Sequence, residues 1–303
     1  MVTSEYDLNL PYLGHPADVI PLQYHAHMLL DEYRMNAFQQ AIAEVVTPGM
    51  HVLDLGTGTG VLSFFAARRG ARVTAVEREP RVLAAARTAL AEQVGDRVRL
   101  VHADARTFVP DEPVDVVFCE MMHVGQLRER QIEVIGSFKR RYAERFGGPL
   151  PRFLPEACVQ AAQPVRQDFS FSGFTVAAPL FQDPFTVQPR TTELAAPQVY
   201  QQFFYHDPLP DRCAADLRFT ARTDGVLNAV RLITKNLLTV QLNPPGTVDW
   251  LMSYLVAPLA EPVTVTAGAQ LRITFDYRPG DEIDALTGSA RATMVGHPVS
   301  HDG

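Results

Sequence analysis

One local pattern in the first half of the chain leaves few folds open: a short apolar run, a turn, then a helix-like segment, repeated. MHVLDL (50–55) reads as a buried strand and VLSFFAARRG (61–70) as a helix closed by Gly70. ARVTAVE (71–77) reads as a second strand, and PRVLAAARTALAEQ (80–93) as a second helix with Pro80 in its first turn. RVRLVHAD (97–104) and VDVVFCE (114–120) follow as third and fourth strands. Strands separated by helices, with few polar residues inside them, call for a parallel sheet covered on both faces. At the end of the first strand, Asp54-Leu55-Gly56-Thr57-Gly58-Thr59-Gly60 runs straight into a helix. Glycines at such a turn let the backbone approach a ligand with no Cβ in the way. A dinucleotide fingerprint needs glycines at 56, 58 and 61, and position 61 is Val. A glycine turn alone also serves unrelated Rossmann-like domains.

After about Pro151 the texture changes. CVQAAQPV (158–165), LRFTARTD (217–224), LLTVQLN (237–243) and QLRITFDY (270–277) are short, often alternating, and separated by Pro, Gly and Asp. That pattern belongs to an antiparallel sandwich or barrel. The expected division is an N-terminal segment over 1–48, a Rossmann-like domain over 49–150 and an all-β barrel-like domain over 151–303, with the border in GGPLPRFLP (147–155). The length of 303 residues suits two domains, and 47% hydrophobic with 20% charged residues excludes a disordered or fibrous chain. A formal charge of −7 argues against a protein that grips phosphate backbones and suits a cationic substrate. Lys139-Arg140-Arg141 with Arg145 reads as the solvated face of a helix, so no nucleic-acid partner is expected. Cys119, Cys158 and Cys213 form no CxxC pair, which points to a reducing compartment without a disulfide framework or structural zinc. His25 and His27 stand two apart on a predicted helix, a poor chelate, and no metal is expected. The first residues carry no leader pattern and no run is long enough to span a bilayer, so the expected location is cytoplasmic.

The DxGxGxG spacing resembles the S-adenosylmethionine loop of class I methyltransferases. Asp54, Glu77 and Asp104 each fall at the carboxyl end of a successive predicted strand. There Glu77 suits the ribose hydroxyls and Asp104 the adenine amine. The fourth strand ends in Cys119-Glu120-Met121-Met122-His123, and Glu129 follows nine residues after Glu120, at the start of a predicted helix. Two acids bracketing a loop at the carboxyl edge of the sheet can converge on one cation, and a guanidinium offers them a planar fork of donors. Taken alone, Glu129 reads first as a surface residue of the charged stretch LRERQIE (127–133).

Together these features resemble the protein arginine methyltransferase family. His25-Ala26-His27-Met28-Leu29-Leu30-Asp31-Glu32-Tyr33-Arg34 is similar to that family's H-x-x-M-L-x-D-x-x-R helix, and VLDLGTGTGVLSFFAARRGA (52–71) to its first motif. Glu120 and Glu129 have the separation of its two loop glutamates, and Met122 matches its methionine. Val248-Asp249-Trp250 resembles its T-H-W loop, and LRFTARTDGVLNAVRLIT (217–234) a strand pair of its barrel. The resemblance implies S-adenosyl-L-methionine as cofactor. His25, Met28, Arg34, Asp54, Gly56, Thr57, Gly58, Gly60, Glu77, Asp104 and Glu120 would then bind it, with Arg34 on its carboxylate. It also implies methyl transfer to a nitrogen, with Glu120 and Glu129 as the acceptor clamp and Met122, His123 and Trp250 on the acceptor side. Asp249 stands where the family has histidine and is expected to help take the proton. The family's E-W-M-G-Y reads Glu120-Met121-Met122-His123-Val124 here, and its aromatic Y-F-x-x-Y segment is not evident in 13–23. Its long helical arm would fall near 173–190, which is short and Pro-punctuated, so an arm-mediated dimer is not expected. The expected acceptor is an arginine of a protein or peptide. The alternatives are a small molecule, as in a tailoring methyltransferase, and a non-catalytic cofactor-binding protein.

Overall fold

Apolar strands buried on both faces need helices to either side, and the first half of the chain supplies them. The computed structural model describes residues 20, 22–242 and 245–295; the expected N-terminal segment up to residue 19, and with it most of the stretch 13–23, lies outside the described residues. The first half runs α1 (Leu22–Leu30), α2 (Glu32–Val45), β1 (His51–Leu55), α3 (Val61–Arg68), β2 (Arg72–Glu77), α4 (Pro80–Val94), β3 (Val98–His102), β4 (Val116–Cys119), α5 (Gln131–Phe146) and β5 (Arg152–Leu154). The strands form one parallel sheet in the order β3-β2-β1-β4-β5. β1 is buried throughout, and the strand order reverses beside it, between β2 and β4. Such a switch point leaves a crevice at the carboxyl ends of the strands.

Two expectations need correction. The stretch 25–34 is not one helix: α1 stops at Leu30, and the Asp31 carboxylate accepts a hydrogen bond from the Arg34 amide (2.9 Å), capping a new helix. α1 buries no residue, whereas α2 buries Arg34, Ala37, Phe38, Ala41, Ile42 and Val45, a stripe at helical spacing. The border at 150/151 also moves. Phe153 and Leu154 are buried and pair with Val117 and Phe118, so the proline-flanked stretch that looks like a linker contributes the last strand of the parallel sheet.

The second half comprises β6 (Ala157–Gln167), β7 (Ser170–Phe171), β8 (Phe174–Thr175), β9 (Leu180–Gln182), β10 (Thr191–Glu193), β11 (Gln198–Phe204), β12 (Cys213–Thr220), β13 (Gly225–Leu242), β14 (Pro245–Leu251), β15 (Tyr254–Val265), β16 (Gln270–Tyr277), α6 (Ile283–Ser289) and β17 (Arg291–Met294). Its ladders are antiparallel. One sheet runs β10-β6-β13-β15-β9, with β11 on β6 and β14 on β13; a second runs β12-β16-β17; β7 and β8 form a hairpin. Leu271, Ile273, Phe275 and Tyr277 of β16 alternate into the core, the period-two burial that the sequence pattern predicts. Where the family's helical arm would fall, the chain instead adds β9 to the edge of β15. Among the described residues, no helix is long and apolar enough to cross a membrane.

The halves share a core. Phe38 of α2 packs against Trp250 of β14 at 6.0 Å between ring centroids, and Ile42, Leu238 and Val248 belong to the same cluster. Trp250→Ala is expected to cost about 3–5 kcal/mol, the usual price of emptying a buried aromatic site. Trp250 is the only tryptophan, so the loss is read as a lowered urea midpoint by far-UV circular dichroism rather than by fluorescence. An unchanged midpoint would mean that this packing does not hold the halves together.

Candidate active site

The carboxyl ends of β1, β2 and β4 open on a cavity of about 1340 Å³, counted with its open mouth. Gly56 and Gly58 line it with φ of +76° and +58°, in the left-handed region. A Cβ on Gly58 would stand 2.9 Å from the His25 ring, and one on Gly56 would stand 3.0 Å from the Met121 side chain. The turn is tied from below by Asp54, which accepts from the Thr57 hydroxyl (2.6 Å) and the Ser63 hydroxyl (2.7 Å). Burial pushes the Asp54 carboxyl up to about 6 despite those two bonds. Glu77 reaches over the turn: one oxygen accepts from the Gly58 amide (3.1 Å), the other from the Arg78 and Glu79 amides (2.8 Å each). Asp104 takes a two-pronged contact from Arg106, which holds its carboxyl below the usual range. Burial and the nearby Arg34 push His25 down to about 4, so it is neutral at pH 7.

The acidic end is built on a buried ion pair. Arg34 is 8% exposed, pairs with Glu120, and sets its guanidinium 4.9 Å above the Trp250 ring. Burial raises the Glu120 carboxyl and Arg34 opposes the rise. Glu129 lines the same cavity; burial and then the Glu120 charge push it up to about 8, against the pull of Arg34 and Arg128. Glu129 does not begin a helix, as expected from the sequence. It follows Arg128, whose φ is +60°, and its amide bonds back to Leu127 O (2.6 Å) two residues before α5. The loop is fastened to the β half: the Gly125 amide donates to Thr234 Oγ1 (2.8 Å) and the Tyr277 hydroxyl to Gly125 O (2.7 Å). The Gly280 amide donates to Gln126 O (2.7 Å), and the Arg128 amide to Asp281 O (2.8 Å).

Comparison with known proteins places this geometry. Residues 52–142 match the family described as a methyltransferase domain. An uncharacterised protein of Methanothermobacter thermautotrophicus is 29% identical over 267 residues, 88% of this chain and 96% of that protein. Protein arginine N-methyltransferase PRMT10 of Oryza sativa subsp. japonica is 33% identical over 133 residues, 43% of this chain and 35% of that protein. Arabidopsis thaliana protein arginine methyltransferase 10 superposes with a TM-score of 0.70 at 17% identity, covering 84% of this chain and 87% of that one. The Trypanosoma brucei PRMT1 enzyme–prozyme heterotetrameric complex with AdoHcy gives 0.68 at 19%, with the same coverage. Residues 52–142 thus match a methyltransferase domain, and the chain shares its fold with solved protein arginine methyltransferases.

The cofactor that the resemblance implies is S-adenosylmethionine, and the residues present fit it. The Arg34 Nε is buried and has no hydrogen-bond partner among the described residues, a donor suited to a carboxylate, and Gly58 leaves the turn without a Cβ where one would strike His25. His25, Met28, Arg34, Asp54, Gly56, Thr57, Gly58, Glu77, Asp104, Glu120 and Glu129 all line the cavity. Gly60 does not. It closes the turn as the N-cap of α3, its amide donating to Thr57 O (2.9 Å).

Four residues expected on the acceptor side lie off this cavity. Met122 is buried in the core, its sulfur 4.0 Å from the Tyr205 hydroxyl, and Met121 lines the cavity instead. His123 is also off the cavity wall: it is buried edge-on to Phe181 (5.6 Å), its Nδ1 lies 3.1 Å from Val124 O, and burial pushes it down to about 4. Asp249 is held by Lys235 Nζ at 3.0 Å and does not line the cavity. Trp250, its neighbour on the strand, lies in the core beneath Arg34 rather than on the cavity wall. Sequence reading also missed Ser63, Met121 and Arg128, together with Gln131, a fully buried side chain hidden in a run that looks solvated.

Gly58→Ala is expected to weaken S-adenosylhomocysteine binding at least tenfold in isothermal titration, since both the backbone angle and the His25 contact oppose a Cβ. Glu77→Ala is expected to raise the cofactor KM while kcat at saturation stays near wild type, the signature of a binding residue. A fall in kcat alone would remove Glu77 from that role.

Proposed function

We propose that this methyltransferase modifies a guanidinium nitrogen of an arginine side chain in a protein or peptide. One observation carries the reading: Glu120 and Glu129, at the two ends of one loop, open into the cavity that also holds the glycine turn. S-adenosylmethionine supplies an activated methyl group when bound, so the chain's own work is alignment and charge. Arg34 pairs with Glu120 and offsets part of the rise that burial imposes on its carboxyl. Glu129, pushed up to about 8, holds a proton at pH 7 while no acceptor cation lies between it and Glu120. A guanidinium placed between the two carboxyls favours the ionised form of both, so its arrival releases the Glu129 proton and leaves a carboxylate to orient the fork. The Glu129 carboxylate is then the group placed to accept the proton that the nitrogen sheds.

A second reading rests on Arg128 and Arg130, which line the cavity beside Glu129 and give that end mixed charge. Mixed charge suits a small guanidine or amine that carries its own carboxylate. Assay with tritiated cofactor against an arginine–glycine peptide, free arginine and simple amines separates the two acceptor classes. We place the protein in the cytoplasm, a reading supported by three buried, unpaired cysteines.

Glu120→Gln and Glu129→Gln are each expected to lower kcat/KM for the acceptor about 10²–10³-fold, with S-adenosylhomocysteine still bound by the Glu129 variant. Unchanged turnover in both would sink the clamp. Stability gives a separate check. An unfolded Glu129 titrates near its ordinary 4.5 and the folded one near 8, so the folded state holds the extra proton between those values and loses stability as pH rises through them. Glu129→Gln should therefore melt higher than wild type at pH 9, with the gap closing towards pH 5; a gap independent of pH contradicts this.

A further inference from the structure

The hydrogen bonding of the parallel sheet stops just short of the first acid. β4 leaves its ladder with β1 at Cys119, opposite Leu55, and its ladder with β5 at Phe118, opposite Leu154. Glu120 therefore stands one residue beyond the last strand pairing. A side chain takes over where the ladder ends. Gln131, the first residue of α5 and fully buried, donates from Nε2 to Cys119 O (2.6 Å) and accepts at Oε1 from the Met121 amide (2.9 Å). In an extended chain the carbonyl of one residue and the amide of the residue two further on face the same side, so one amide group serves both as a neighbouring strand would.

We propose that Gln131 is the positioning residue of the acidic loop, extending β4 past Cys119 and fixing both the direction of Glu120 and its spacing from Glu129. The two bonds flank Glu120 and hold its backbone on both sides. They also lay Met121 against Gly56, within 3.0–3.3 Å of where a Cβ would stand. Glu129 lies two residues before Gln131, so one side chain ties the start of the loop to its end. A displaced Gln131 would release the backbone around Glu120 and with it the spacing of the two acids. The inference rests on the proposed reading of Glu120 and Glu129 as the acceptor clamp.

Two substitutions separate positioning from packing. Gln131→Met keeps the volume and removes both bonds. Gln131→Glu keeps both while its carboxyl is protonated, with O–H donating to Cys119 O and C=O accepting from Met121. Near that carboxyl stand the Glu120 and Glu129 carboxyls, whose negative charge favours its neutral form, and the Tyr205 hydroxyl, which hydrogen-bonds the side chain at 131. In the full chain without cofactor, hydrogen exchange of the Met121 amide by NMR is expected to quicken at least tenfold in Gln131→Met and to stay slow at pH 6.5 in Gln131→Glu. With an arginine–glycine peptide as acceptor, Gln131→Met is expected to lose kcat tenfold or more while the S-adenosylhomocysteine Kd stays within threefold. Gln131→Glu is expected to recover most of that kcat at pH 6.5 and to lose it towards pH 9 more steeply than wild type. Unchanged Met121 exchange in Gln131→Met overturns the proposal. So does a parallel loss of kcat, cofactor affinity and Tm in both variants without a pH dependence, since that marks packing alone. If the wild-type protein does not methylate the peptide, the acceptor reading fails, and the exchange result alone decides the role of Gln131.

Discussion

Two carboxyls kept at the two ends of one water-poor loop repel each other and resist ionisation, and much of the architecture serves to hold them there. The opposing charge comes from Arg34, itself 8% exposed, and a buried ion pair survives only where geometry offsets desolvation. That geometry is supplied by both halves of the chain. α2 presents Arg34 from one side, with its first turn set by the Asp31 cap. Trp250 of β14 presents its ring face to the guanidinium from the other, and is itself held by Phe38 one turn further along α2. The β half is thus part of the electrostatics of the cavity as well as a cover over it.

What the sequence discloses follows the range of the interactions involved. The turn Gly56–Gly60 and the acid at the end of β2 are set by neighbours a few residues away, so their spacing alone places them. Met121 and Met122 differ only in parity. Which of them faces the cavity depends on where β4 stops pairing, and a shift of one residue exchanges the two faces. Asp249 and Trp250 present the same problem on β14: a resemblance locates the dipeptide, and only the sheet shows that Trp250 turns inward to Arg34 while Asp249 meets Lys235. Gln131 is illegible for a different reason. In LRERQIE it sits among charges that suggest a solvated face, and its burial comes from Cys119 and Met121, ten or more residues away. Glu129 belongs to the same stretch, and the backbone reversal at Arg128 that keeps it out of α5 is imposed by Asp281 from the far half.

That reversal shows how little of the loop is self-supporting. Among the described residues, three that are not glycine have positive φ: Gln126, Arg128 and Ser172. Two of these lie in the acidic loop, alongside Gly125 at +72°. Such backbone angles are costly for side-chain-bearing residues and persist only where surroundings over-determine them. Here the surroundings are Thr234 and Tyr277 at Gly125, the Gly280 amide at Gln126 O and Asp281 O at the Arg128 amide, each from the β half. Thr234 is fixed in turn by Gln160 (2.6 Å) and Tyr277 by Tyr200 (2.7 Å), so the support extends into the core of the β sheets. The glycine turn and Glu77 need none of this, because their bonds close within the Rossmann-like half. The two steps of the reaction therefore have different structural dependencies. Cofactor binding draws mainly on the parallel sheet, while the geometry offered to the acceptor exists only with both halves docked.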